Sequence, residues 1–165
     1  MATYHQAFDI ETPAMPAFED VTDRVKDIVS KSGIRNGIAV VYSQHTTCSV
    51  LIQEDSIDVT LRGTRFLLQD LLEGLEIMFP VCTREGQYLH PGPECVQHSV
   101  EVIGEEPAWT LNTDAHLRSS LLGRSESIPI VDGQVLLGEH GHLYFADFDG
   151  TRARTRTVRV TVVGD

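Results

Sequence analysis

Apolar and polar positions along the chain follow two different periods. Alternation at period two, the mark of a half-buried strand, covers residues 3–10 (TYHQAFDI), and short apolar runs at 37–43 (GIAVVYS) and 48–53 (CSVLIQ) predict two more strands. Pro13 and Pro16 interrupt regular structure after the first of these. The helical period appears from Phe18 to Lys31, where Phe18, Val21, Val25, Ile28 and Val29 share a face and Gly33 stands just past the end. A second helix is predicted over about 59–78: Leu61, Phe66, Leu68, Leu71, Leu72, Leu75 and Met78 form a wide stripe, Glu54, Asp55 and Asp58 precede it as caps, and Pro80 stops it.

Residues 81–110 are the least regular part of the chain, with Pro91, Gly92, Pro93, Gly104 and Pro107, and the pattern over 98–103 predicts a short strand within an extended excursion. Asn112 is a good helix cap, and the helix it opens should end at Gly123. The C-terminal third reads as antiparallel strands at 125–131, 134–138, 142–148 and 153–163, punctuated by the hairpin pairs Asp132-Gly133 and Asp149-Gly150. Strands grouped after helices, without βαβ alternation, predict an α+β fold with a largely antiparallel sheet. Length favours one domain over residues 1–165, with 91–110 as an insertion.

Charge changes this picture more than composition does. The formal net charge of −11 argues against broad attraction to nucleic acid or anionic lipid, so any anionic ligand needs a local cluster of donors. No apolar run approaches a membrane span, and the N-terminus lacks a basic segment followed by an apolar one, so a cytoplasmic location is expected. Three cysteines suit a reducing compartment better than a disulfide framework.

Seven histidines in an acidic chain make a metal site the first candidate. His45 sits at a strand end in Gln44-His45-Thr46-Thr47, a loop whose side chains can all hydrogen-bond where a tight hairpin would carry Asn-Gly. His116 lies one turn inside the helix opened by Asn112, and His90 lies in the irregular stretch. Three imidazoles from three elements, with water as fourth ligand, would make an open site for a divalent ion such as Zn or Mg. The set Cys82, His90, Cys95 and His98 matches no zinc-finger spacing. Cys48 and Ser49 beside His45 lack any nucleophile-elbow context. Arg152, Arg154 and Arg156 share the parity of Val158, Val160 and Val162, which suggests an anion clamp at one strand end or, more simply, ion pairs with surplus carboxylates.

These residues occur in an order that resembles the YjbQ-like family. The sequence carries His45-Thr46-Thr47, Glu54, Asp70-Leu71-Leu72, Pro80, Tyr88-x-His90, Asn112-x-x-Ala115-His116-Leu117, Leu121-x-Gly123-x-Ser125, Ile128-Pro129-Ile130, Leu137-Gly138 and Asp149-Gly150-x-Arg152, across roughly residues 5–164. The resemblance implies an antiparallel β-sandwich-like core with two or three helices, assembling as a homotrimer. It implies a thiamine-phosphate synthase-type transferase that joins a pyrimidine diphosphate to a thiazole phosphate with loss of pyrophosphate. The alternative is a non-enzymatic homotrimer that binds a metal or small anion.

Carried onto this chain, the resemblance implies His45, Glu54 and His116 as catalytic residues and Thr46, Thr47, Asn112 and Arg152 as anion-binding residues. His45, His90 and His116 would be the metal ligands. The chain departs from the family at Glu139-His140-Gly141-His142, where Thr-Trp-Gln-Gly is usual, and at Thr151, where proline is general. These departures allow His140 or His142 to join the site.

Overall fold

The computed structural model describes residues 1–165. Its elements are β1 (Ala2–Thr12), β2 (Ala17–Asp20), α1 (Thr22–Ser32), β3 (Gly37–Ser43), β4 (Cys48–Glu54), α2 (Phe66–Met78), α3 (Pro93–His98), α4 (Thr113–Leu122), β5 (Ser125–Val131), β6 (Gln134–Val135), β7 (Gly141–Asp147) and β8 (Arg154–Gly164). The strands form an antiparallel five-stranded sheet, β1-β8-β3-β5-β6, and an antiparallel three-stranded sheet, β2-β7-β4. The α+β class and sandwich-like core read from the sequence are those observed, with four α-helices.

Two clusters of buried side chains explain the layering. Val158, Val160 and Val162 of β8 meet Val50, Leu143 and Phe145 of the smaller sheet, and Val21, just before α1, with Val25, Ile28 and Val29 of α1 completes that core. The opposite face of the smaller sheet, with Leu51, Tyr144 and Ala146, packs against Leu68 and Leu75 of α2 and Ala115 of α4. The order is therefore sheet, sheet, helices. A one-residue slip of β8 would turn its three fully buried valines to solvent, at roughly 1.5–3 kcal/mol each, so the register is strongly specified.

Four expectations need correction. The first helix starts at Thr22, because Ala17–Asp20 pairs with β7, the Phe18 ring packs edge-on against Phe148 at 5.9 Å, and Asp20 Oδ1 accepts the Thr22 N–H at 2.9 Å. The second helix starts at Phe66 instead of about 59: Gly63, at φ +83°, and the Thr60 hydroxyl fold 60–64 into a turn, Val59 bridges to Arg65, and Leu61 is fully exposed. The strand expected at 98–103 is a wide helical turn continuing α3, ended by Gly104 at φ +78°. β6 is also shorter than expected, because the chain leaves the sheet before Gly138, at φ +79°.

Antiparallel pairing brings four ends to the same rim. The C-terminal end of β3, the start of β4, the end of β7 and the start of β8 lie together, since Ser43 opposes Val158 and Cys48 opposes Asp147. α4 reaches that rim through its N-terminal turn. No helix is long and apolar enough to cross a membrane.

Candidate functional site

Loop 44–47 joins β3 to β4 at this rim, and its side chains are held by specific partners. The Thr157 N–H lies just beyond the last β3 pairing of β8 and donates to His45 Nε2 at 2.9 Å. A backbone amide can only donate, so His45 carries its neutral-state proton on Nδ1. Arg159 Nε donates to Gln44 Oε1 at 3.0 Å, and Arg156 Nη2 donates to Thr47 Oγ1 at 3.0 Å. His116 Nδ1–H donates to the Thr46 carbonyl at 3.3 Å, which leaves Nε2 as a free lone pair.

Beneath the loop lies a buried ionic network. Arg156 continues the inward parity of the β8 valines and is 5% exposed, and Asp147 takes the same face of β7 with no exposure. They meet at 2.7 Å, and Thr12 Oγ1 donates to Asp147 Oδ2 at 2.8 Å. Asp149 pairs with Arg154 at 2.8 Å and accepts from Asn112 Nδ2 at 3.1 Å and from the Thr151 amide and hydroxyl. Burial alone would raise the Asp149 carboxyl, but the bonds from Thr151, the Arg154 charge and the bond from Asn112 hold it below the usual carboxylate range. Arg154 Nε is buried without a partner.

The result is a cavity of about 260 Å³ lined by Gln44, His45, Thr46, Thr47, Asn112, His116, Asp149, Arg154 and Arg156, with no hydrophobic residue. Burial and the neighbouring Arg156 guanidinium lower the His45 pKa below its ordinary 6.5. Burial and His90 do the same to His116. Both imidazoles are therefore neutral at neutral pH. Such a site offers guanidinium groups, hydroxyls and amides, donors that suit a phosphate-like oxyanion, and one free imidazole lone pair that can accept a proton.

Of the residues singled out in the sequence, His45, Thr46, Thr47, Asn112 and His116 converge on this cavity. Asn112 stands at the head of α4, but its side chain caps nothing there and reaches Asp149 instead. His90 stays outside the lining, its ring edge-on to His116 with centroids 5.7 Å apart. Glu54 is exposed at the far end of β4 from Cys48. His142, bound through Nδ1 to Asp20 at 2.6 Å, and His140 lie at that same remote end, beside Gly141 where β7 begins. Arg152 precedes β8 and turns to Glu105 and the Trp109 ring, 3.9 Å from its centroid.

Arg154 and Arg156 hold the positions that Arg152 was expected to share. The Cys48 thiol is fully buried and pushed up to about 12 by burial and Asp147, so it supplies no thiolate nucleophile.

A divalent ion does not fit this donor set. His90 and His116 stand close enough to share an ion, but His45 Nε2 is occupied by the Thr157 amide, and no group of three or more His, Cys, Asp or Glu is arranged to hold a metal. Catalytic zinc takes three protein ligands, and one chain supplies two free imidazoles.

Comparison with known proteins adds a family. A family model described as "UPF0047 protein YjbQ-like" matches residues 6–165. A UPF0047 protein of Methanothermobacter thermautotrophicus is 32% identical over 164 residues, covering 99% of this chain and 94% of the relative. The UPF0047 protein YugU of Bacillus subtilis is 26% identical over 155 residues, covering 94% and 97%. Among solved structures, an uncharacterised YjbQ/UPF0047 protein of Clostridium acetobutylicum superposes with a TM-score of 0.72 at 28% identity, over 96% of this chain and 99% of that one.

Proposed function

Because the chain belongs to the UPF0047 family of YjbQ-like proteins, we propose that its polar cavity binds the phosphate group of a small phosphorylated molecule. The observation that carries this reading is the wholly polar lining of that cavity, in which Arg154 and Arg156 stand beside Thr46, Thr47, Asn112 and two neutral imidazoles.

The reaction we propose is the thiamine-phosphate synthase-type transfer. The thiazole nitrogen attacks the methylene carbon of the pyrimidine diphosphate, a C–N bond forms as the C–O bond breaks, and pyrophosphate leaves with the bonding pair. Charge grows on the leaving oxygens, so the protein's part is to place donors there. The Arg154 guanidinium, the threonine hydroxyls and the His45 Nδ1–H are the donors at hand. The free His116 Nε2 can accept a proton from a protonated phosphate oxygen. No step passes through a metal ion.

The alternative reading, anion binding without turnover, is favoured by the complete engagement of Asp147 and Asp149 with arginines, which leaves His116 as the only free base in the cavity lining. Incubation with the pyrimidine diphosphate and thiazole phosphate separates the two. Thiamine phosphate above background, abolished in Arg154→Ala, supports the transferase; phosphate binding without product supports the alternative.

Self-association as a homotrimer belongs to the same proposal. Its support is the uncovered face of the larger sheet, where exposed Ile38 lies opposite Pro129 and Val163. A cytoplasmic setting is in keeping with three unpaired cysteines.

A further inference from the structure

Beside the polar cavity lies a second one of about 480 Å³ and more apolar character, with eight hydrophobic residues among its fifteen, Met15, Leu111 and Phe148 included, and Glu76 and Thr83 among the polar ones. Two short segments build both cavities. At the head of α4, Asn112 lines both, Ala115 faces the apolar one and the next residue, His116, faces the polar one. After β7, Asp149 lines the polar cavity while Gly150 and Thr151 line the apolar one. Gly150 is pressed against the far wall: a Cβ there would meet Pro16 Cδ at 3.3 Å and Met15 Cα at 3.4 Å. Asn112 is therefore shared by the two cavities, and its side chain is hydrogen-bonded to Asp149 at 3.1 Å.

The geometry points to one bipartite site, in which the apolar cavity takes the organic part of a phosphate monoester whose phosphate occupies the polar cavity. This rests on the phosphate reading above and adds to it the ligand class: an aryl or alkyl phosphate in preference to free phosphate or a sugar phosphate. An aromatic ring gains by leaving water against Met15, Leu111 and Phe148, whereas a hydroxyl-rich sugar turned to that side of the cavity leaves donors unmet and depends on polar groups such as Glu76 and Thr83. Asn112 sits where the two parts join, its amide nitrogen held by Asp149 and its carbonyl oxygen free of protein partners.

The excursion after α3 contributes Ala108 and Leu111, so it forms one wall of the apolar cavity. Arg152, stacked on Trp109 and paired with Glu105, fastens that wall to the turn after Asp149. The role reconciles Arg152 with its absence from the polar cavity: it holds the chamber for the organic group.

Calorimetric titration of the full chain with inorganic phosphate, phenyl phosphate and glucose 6-phosphate tests this. Phenyl phosphate should bind at least about tenfold more tightly than the other two. Ala108→Trp, which fills the apolar cavity, and Leu111→Ala, which removes part of its wall, should each erase most of that preference while leaving inorganic phosphate affinity unchanged. Inorganic phosphate binding with no preference for phenyl phosphate, or a preference untouched by both variants, would overturn the bipartite site and leave the phosphate reading intact. Failure of all three probes to bind would overturn the phosphate reading itself and the inference with it.

Discussion

His45 gives its Nε2 lone pair to the Thr157 amide, and protonation of that nitrogen would set two donors against each other. Its pKa and that of His116 lie below the ordinary 6.5 when the chain is folded. An unfolded chain therefore binds more protons just below that value, so stability from these groups is full above pH 6.5 and falls as pH drops toward the folded pKa values. Arg154, Arg156 and Arg159 oppose a charge on His45 and Asp147 favours it, and burial leads the balance toward the neutral form. Urea denaturation at about pH 7.5 and about pH 5.5 should show a loss of stability that is smaller in His45→Gln, whose carbonyl acceptor does not titrate. Equal losses in both proteins would refute this account of His45.

Why some of these residues could be read from the sequence and others could not has a physical basis. His45, Thr46 and Thr47 stood out because polar side chains filled a hairpin that needed none, and Asn112 and His116 because a capping residue preceded a histidine. Glu54 was misplaced because β4 carries it six residues beyond Cys48, on the order of 20 Å at the rise of an extended strand. Arg152 was singled out through the resemblance at Asp149-Gly150-x-Arg152, whereas alternation put it on one face with Arg154 and Arg156; it lies two residues before β8 begins.

Among the elements, the Arg156–Asp147 pair ties the end of β7 to the start of β8 and so joins the two sheets under the site. Removing one partner strands a charge that is almost wholly buried. Arg156→Met should cost about 3–5 kcal/mol in denaturant-determined stability, and the double variant Arg156→Met/Asp147→Leu should recover a large part of it. A single variant as stable as the parent would show that the pair carries no such burden.

The strands were largely legible because period two survives burial on one face. The helix starts were not. Phe18 and Leu61 extend helical patterns on paper, but Asp20 caps the chain after a strand pairing, and Gly63 takes a left-handed conformation that turns it. The wide stripe read onto α2 overstated its burial: Leu68 and Leu75 are buried, while Phe66 and Met78 are 48% and 58% exposed.

At the level of the whole molecule, a chain of net charge −11 holds a small cavity whose arginines are matched by Asp147 and Asp149, so the site is locally neutral within an acidic surface. That arrangement favours ligands whose charge is met by directed donors over ligands drawn by long-range attraction, and binding should depend weakly on salt. The exposed sheet face with Ile38 remains to be covered, and sedimentation should show a trimer that shifts toward monomer in Ile38→Asp. A monomer at all concentrations would contradict the assembly.

The claim at the centre is that Arg154 completes an oxyanion site. Titration of inorganic pyrophosphate, followed by phosphorus NMR, tests it most directly in the wild-type chain and in Arg154→Ala. The account predicts saturable binding to the wild type and at least about tenfold weaker binding to the variant, as loss of one charge-assisted donor implies. No binding to the wild type, or equal binding to both proteins, would contradict it.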